Sequence, residues 1–242
     1  MSRTRARLMS GKPSACRGLF VAGTDTGVGK TLIASALVHG LAGSGLRAVG
    51  MKPVAAGAAH SCGEWLNDDV EALRAVSNVE VPRDWVNPYC FAPPVAPHIA
   101  AAEAGVTVRM DVIRRAYIRL AALSDIVIVE GVGGLKVPLG PRLNAIDIPR
   151  SLDLPVILVV GMRLGCLNHA LLTVEVMLGH GLRLAGWVAN RLDPIMPRFR
   201  QNVEALQHRI PAPLVGQVSH APVKDLKRVS RVLDVQRLLD CI

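Results

Sequence analysis

The segment Gly23-Thr24-Asp25-Thr26-Gly27-Val28-Gly29-Lys30-Thr31 follows an apolar run and precedes a helical pattern, and this placement leaves few folds open. Its glycines let backbone N–H groups turn inward around anionic oxygens, and the start of the next helix adds its positive end. Lys30 is placed to reach the outer phosphates of a nucleoside triphosphate, and Thr31 to offer its hydroxyl to Mg2+. The usual spacing of such a loop is G-x4-GK[ST]. Here it is G-x5-GKT, with Thr24 where glycine is expected. The strand before and the helix after supply the context that a bare match lacks.

The rest of the chain alternates short apolar runs with helical periodicities. Strands are expected at 19–23, 48–55, 126–130, 155–160, 184–190 and 213–218, and helices at 30–41, 69–76, 111–124, 167–178 and 228–239. In the third helix Val112, Ile113, Ala116, Tyr117, Leu120 and Leu123 share one side, Arg114, Arg115 and Arg119 lie away, and Asp111 is the expected N-cap. Pro82, Pro88, Pro93, Pro94 and Pro97 mark a long loop of a kind that often carries function. Continuous apolar strands separated by helices imply a mainly parallel sheet covered on both faces, an α/β fold in one domain over 18–242. Residues 1–17, basic and without a carboxylate, read as a disordered tail or as a stretch preceding a true start at Met9. In such sheets ligands sit beyond the carboxyl ends of the strands, so functional residues belong just after strands.

Composition narrows the partners. A chain of 242 residues, half of them hydrophobic, can bury one large core. No apolar run approaches the ~18 residues of a membrane span. The net charge of +9 suits a binder of nucleic acid or anionic surfaces, but only six of the 28 basic residues are Lys, and the charge is scattered. Aromatic residues make up 3 %, too few for base-stacking platforms. Neither a nucleic-acid nor a membrane partner is expected. Five cysteines without a C-x-x-C pair point to a reduced cytoplasmic protein.

Several residues after strands carry candidate chemistry. Glu130 ends the apolar run IVIVE and precedes Gly131-Val132-Gly133-Gly134. A carboxylate there suits Mg2+, which takes one or two protein carboxylates beside phosphate oxygens. Lys52 follows the second strand, before Pro53. It reads either as a surface lysine or as a cation that neutralises a transferring phosphoryl group. Asp68 and Asp69 read more simply as helix caps than as ligands. His98 and His169 read as structural residues before general bases. The turn from Gly161 to Asn168 opens a helix, whose exposed N–H groups could hold a carboxylate.

These motifs together resemble the dethiobiotin synthetase family. The matching stretches are GTDTGVGKT, GMKPVAAG, NPYCFAPPVAPHIAA, IVIVEGVGGLKVPL, PVILVVGMRLGCLNHALLT, LAGWVANRLDP and IPAPLVG, in family order from about residue 19 to 218. The G-x5-GKT spacing is the family's own form of the loop. The resemblance implies a P-loop NTPase-like fold that uses ATP and Mg2+ to join CO2 to 7,8-diaminopelargonic acid. It implies a nucleotide site of Gly27, Val28, Gly29, Lys30, Thr31, Leu32, Asp69, Glu130, Gly131, Asn190 and Arg191. It further implies metal ligation by Thr31, Asp69 and Glu130, and catalysis by Lys30 and Lys52. Substrate contacts would come from Lys52, Ala56, Gly165, Cys166 and Asn168, with the carboxylate turn completed across a homodimer. The chain departs from the family at Ala56, where some members carry a hydroxyl, and at Ser219-His220-Ala221, near the expected nucleotide base. Two competing readings are another ATP-dependent amidoligase and a partition or positioning ATPase. The first usually needs a glutaminase domain, and the second an extra lysine that positions 24 to 28 lack.

Overall fold

The structure is a computed structural model, and it describes residues 17–61, 63–221 and 225–240. Among these the elements run β1 (Arg17–Gly23), α1 (Lys30–Gly43), β2 (Ala48–Met51), β3 (Val54–Ala56), β4 (Ala59–Ser61), β5 (Glu64–Leu66), α2 (Asp68–Val76), α3 (Arg83–Val86), β6 (Tyr89–Phe91), α4 (Pro97–Glu103), α5 (Met110–Leu123), β7 (Ile126–Glu130), α6 (Asp147–Leu152), β8 (Val156–Met162), α7 (Cys166–Gly179), β9 (Leu184–Arg191), α8 (Phe199–Gln207), β10 (Leu214–Val218), α9 (Leu226–Val232) and α10 (Val235–Leu239). The expected tail lies outside the described residues up to 16. Arg17 already belongs to β1, opposite Ile126.

The apolar runs pair as one six-stranded sheet in the order β10-β9-β8-β1-β7-β2, every pair parallel. Successive side chains of a strand point to opposite faces, and β1 shows the consequence. Leu19 and Val21 join Ile33, Leu37 and Leu41 of α1 and Val229 of α9 on one face. Phe20 and Ala22 join Ile113 and Leu120 of α5 and Ala170 and Val174 of α7 on the other. The strand centre is therefore apolar throughout, as a doubly covered sheet requires. β7 flanks β1 on one side and β8 on the other. The chain order reverses across β1, which opens a crevice at the carboxyl ends of these strands.

Four expectations change. The second strand breaks into β2 and β3 at Lys52-Pro53, because Pro53 has no N–H to donate and the Lys52 N–H turns away to the Val86 carbonyl at 2.8 Å. The proline-rich stretch is not a bare loop: it carries α3, α4 and β6, and β6 pairs in parallel with β3. Asp111 lies inside the first turn of α5 rather than capping it. The cap position is Arg109, without a side-chain cap bond, and Asp111 instead pairs with Arg109 and Arg115. The C-terminal helix divides into α9 and α10. Leu233 bridges to Gly216, and Asp234 donates its N–H to Val215 and caps α10 by accepting from the Arg237 N–H.

The hairpin β4–β5 has no counterpart among the expected strands, since His60, Ser61 and Glu64 break any apolar alternation. Among the described residues no helix is long and apolar enough to cross a membrane. Cys90 and Cys166 are free thiols, whereas Cys16, Cys62 and Cys241 lie outside the described residues.

Leu120 is fully buried on α5, in the core that holds β7 against the helix layer. Truncation there leaves a cavity that the packed sheet does not close. Leu120→Ala is expected to lower unfolding free energy by about 2–5 kcal/mol, measured by denaturant melts, while nucleotide affinity of the folded protein stays unchanged. A loss below about 0.5 kcal/mol would show that α5 is not part of the cooperative core.

Candidate active site

The phosphate-binding loop runs from the end of β1 into α1. Gly27 and Gly29 take φ of 72° and 92°, the left-handed region that glycine enters without strain. Gly29 has a second reason to lack a side chain, because a Cβ there would collide with the Asn190 amide nitrogen. That same nitrogen donates to the Val28 carbonyl at 2.8 Å. The end of β9 thus fixes the back of the loop. Lys30 is nearly buried and donates to the Asp25 carbonyl at 2.8 Å, across the loop. Burial first, and then the neighbouring Lys52 charge, pull its ammonium down to about 8.

A second cluster lies beside the loop. Lys52 is 3 % exposed, which settles against the surface-lysine reading. Its ammonium donates to Glu130 Oε1 at 2.6 Å and to the Gly131 carbonyl at 3.0 Å. It also sits 2.8 Å from Asp69 Oδ2. Thr31 Oγ1 lies 2.6 Å from Asp69 Oδ1 and 2.8 Å from Glu130 Oε1, its single proton shared between them. Residues from α1, α2, β7 and the break between β2 and β3 therefore meet within hydrogen-bond distance.

Each arm of this cluster has a local cause. Asn67, rather than either aspartate, caps α2 by accepting from the N–H groups of Asp69 and Val70. The Asp69 carboxylate is thereby released for Thr31 and Lys52. Asn67 also donates to the Ala56 carbonyl at 3.2 Å, which ties the end of β3 to the start of α2. Asn87, buried, donates to the Lys52 carbonyl at 2.6 Å and the Tyr89 carbonyl at 3.0 Å. The break in the second strand is what turns the Lys52 side chain toward β7.

Charges in the cluster are strongly coupled. Burial works against the Lys52 ammonium, but Glu130 and Asp69 outweigh it, and the net shift is upward. Burial works against ionisation of Asp69 too, yet Lys52 and the bonds from Lys52 and Thr31 hold its carboxyl below the usual range. Glu130 is pushed up by burial, with Lys52 opposing. Its Oε2 is buried without a hydrogen-bond partner. Such an atom in a native core needs an explanation, and a hard cation would supply one. Thr31, Asp69 and Glu130 offer oxygen only, the donor chemistry that Mg2+ prefers. Among the described residues no group of three or more His, Cys, Asp or Glu could hold a metal by itself. A cation here would therefore complete its shell with phosphate or water oxygens.

On the other side of β1, a cavity of about 330 Å3 opens beyond the ends of β9 and β10. Gly27, Gly29, Leu32, Asn190 and Arg191 line it, opposite Ser219, His220 and Ala221. Its volume lies at the small end of ligand pockets. Arg191 is held by the carbonyls of Asp193 and Pro194 and stacks over Phe199 at 5.0 Å.

The structure thus gathers the expected nucleotide-site residues around one loop, with Lys52, Asp69 and Glu130 on one flank and Asn190, Leu32 and Arg191 on the other. Val28 is buried behind the loop, and Gly131 contributes a carbonyl to Lys52 rather than an open surface. The turn at Gly165, Cys166 and Asn168 stands apart. Cys166 is buried and its N–H is spent on the Arg163 carbonyl at 3.0 Å, while Gly165 and Asn168 are exposed. Among the described residues, no hydrogen bond or ion pair joins these three to Lys52 or Ala56. The turn instead meets the loop through Arg163 and Asp25, 2.8 Å apart. Asn67, Asn87 and this ion pair were not singled out from the sequence. Only the position of Asn67 just before an acidic helix start carried a signal. His98 is half-buried, with its Nδ1 unpaired, and His169 is exposed on α7.

Known proteins resemble this chain in sequence and in fold. The family described as "AAA domain" matches residues 17–227. The ATP-dependent dethiobiotin synthetase BioD of Aromatoleum aromaticum is 56 % identical over 217 residues, 90 % of this chain and 96 % of the relative. Its namesake from Nitrosospira multiformis is 50 % identical over 222 residues, covering 92 % and 96 %. The MinD cell division protein of Aquifex aeolicus superposes with a TM-score of 0.57 at 14 % identity, over 93 % of this chain and 96 % of that one. That last likeness concerns the fold alone. With half or more of its residues identical to these two synthetases across nine-tenths of its length, the chain belongs to the ATP-dependent dethiobiotin synthetase family.

Proposed function

We propose that the protein is an ATP-dependent cyclo-ligase that makes dethiobiotin from 7,8-diaminopelargonic acid and CO2, with ADP and phosphate released. The observation that carries this reading is the buried Lys52 ammonium, set beside the phosphate loop between two carboxylates. It supplies charge where a phosphoryl group would leave ATP, and no activated Ser, Cys or His nucleophile is needed.

One substrate amine adds to CO2 and loses a proton, giving a carbamate. A carbamate oxygen then attacks the γ-phosphorus, the bond to the β-phosphate oxygen breaks, and ADP leaves. The second amine attacks the resulting carbonyl, phosphate departs, and the ureido ring closes as that amine loses its proton. Lys30 and the loop hold the phosphates, and Lys52 neutralises charge that moves onto the carbamate and the transferring group. Thr31, Asp69 and Glu130 would hold Mg2+, which when bound neutralises charge on the phosphate oxygens. The cavity beyond β9 and β10 would take the nucleotide base, with Asn190 and Arg191 beside it.

The substrate carboxylate would meet the start of α7 around Gly165, Cys166 and Asn168, and the site would be completed by a second copy of the chain. Leu164 is 98 % exposed at the tip of that turn, with Leu172 half-exposed on α7, and burial against a partner would cover both. Ala56, at the end of β3, would line the diamine without the hydroxyl bond some relatives make. The cytoplasm, where ATP is at hand, is the proposed location.

The decisive assay supplies diaminopelargonate, bicarbonate and Mg-ATP and follows phosphate. Release is expected to depend on the diamine, and release independent of it would sink the ligase reading. Lys52→Gln is expected to slow turnover by about 10^2-fold or more while ATP affinity changes by less than about tenfold; unchanged turnover would remove Lys52 from the mechanism. Lys30 predicts a pH effect. Its lowered value near 8 in the free protein rises once phosphate oxygens surround it. ATP binding at about pH 9 therefore takes up protons, and affinity falls as pH rises above about 8. Calorimetry in two buffers of unlike ionisation enthalpy should give unequal heats, and equal heats would show Lys30 charged throughout. Sedimentation should show a dimer, and monomer alone at micromolar concentration would count against the shared site.

A further inference from the structure

We propose that Lys52 stands in for the metal: its ammonium keeps Asp69 and Glu130 together before any cation binds, and so makes divalent-metal binding at this site conditional on nucleotide. The inference rests on the reading of Thr31, Asp69 and Glu130 as the metal's protein ligands.

An ammonium has three N–H donors, and all three of Lys52's are used. They go to Glu130 Oε1 at 2.6 Å, Asp69 Oδ2 at 2.8 Å and the Gly131 carbonyl at 3.0 Å. Two of the three acceptors are the carboxylates a metal would need. The lysine is not a mobile surface group, since it is 3 % exposed and its backbone is pinned by Val86 and Asn87. Two carboxylates bridged by one buried ammonium do not have to repel each other while the site waits.

Charge counting gives the conditional behaviour. With Lys30 of the adjoining loop counted in, two ammonium groups balance Asp69 and Glu130, so the cluster and its neighbour together are neutral. A bare divalent cation would add two positive charges beside two ammonium groups. A metal nucleotide, with four negative charges on the triphosphate and two positive on the metal, arrives with net negative charge. The same neighbours then attract instead of repel. Glu130 Oε2, buried without a partner, is a point at which the metal can begin to bind while Lys52 still holds Oε1. Once the metal has taken the carboxylates, Lys52 loses two of its three partners. It becomes free to face the carbamate and the transferring phosphoryl group. The catalytic cation would thus be released only when metal and nucleotide are both in place.

The test follows Mn2+ by its electron spin resonance, titrated into full-length protein with and without a non-hydrolysable ATP analogue. Without nucleotide, wild type should bind Mn2+ weakly. Lys52→Met and Lys52→Gln should each bind it about tenfold or more tightly, because removing one ammonium leaves the cluster net negative. Lys52→Gln keeps hydrogen bonds to the carboxylates and guards against a variant that does not fold. Mn2+ should also raise the melting temperature of these variants more than that of wild type. Equal or weaker nucleotide-free Mn2+ binding by the Gln variant overturns the proposal. Two further variants separate this outcome from failure of the site reading. If Asp69→Asn and Glu130→Gln abolish nucleotide-supported Mn2+ binding while no Lys52 variant gains affinity, the ligand reading stands and the inference alone falls. If those two variants leave Mn2+ binding intact, the ligand reading fails and takes the inference with it.

Discussion

A buried ammonium held between two carboxylates constrains everything around it in this protein. Taking an ion out of water costs several kcal/mol even after relaxation, so Lys52 can be 3 % exposed only if its three donors are met. They are met by groups far apart in the chain, from the start of α2 to the end of β7 and the residue after it. This requires the second strand to stop at Met51, the Lys52 N–H to leave the sheet for Val86, and Asn87 to hold its carbonyl. It also requires Asn67 to take the capping duty at α2, because an Asp69 bonded to its own helix start would not be available to Lys52. Features that look like irregularities of the fold are thus conditions for one ion cluster.

The phosphate loop stands between this cluster and the cavity beyond β9 and β10, and it is fixed from both sides. Thr31 joins it to Asp69 and Glu130, and Asn190 joins it to β9 through Val28. The position of β1 makes this possible. With β7 on one side and β8 on the other, the reversal of strand order puts the loop over the crevice. Reacting groups and nucleotide base would then occupy opposite flanks of the same backbone. The pair Arg163–Asp25 adds a third tether, to the turn before α7. It is half-exposed and adds little to stability by itself.

Much of this was legible in the chain. The strands at 126–130 and 184–190 were plain because continuous apolar runs bounded by turns have few other solutions. Glu130 could be read as a metal candidate because its place at the end of such a run fixes where its carboxylate goes. The family resemblance rested on seven stretches in order, and identity to known synthetases agrees with it. The misreadings share one physical origin. Asp111 as a cap, a single C-terminal helix and an unbroken second strand all followed from local propensity; the last two were overridden by bonds to distant residues, and the first by ion pairs with the nearby Arg109 and Arg115. Leu233 and Asp234 leave the helix for β10, the Lys52 N–H leaves the sheet for Val86, and Asp111 pairs with arginines on either side.

By itself, the sequence determined the phosphate loop, the parallel character of the sheet, and a strand-end glutamate beside a glycine turn. These are set by spacing, backbone freedom and hydrophobic period, all of which are local. Only the tertiary structure decided that Lys52 is buried, that Asp69 is a partner rather than a cap, and that Asn67 and Asn87 hold both in place. Those outcomes depend on which donor finds which acceptor across tens of residues of chain. A lysine written before a proline looks the same whether it ends in water or between two carboxylates. Closure of the fold around β1 is what removes the water and makes the difference.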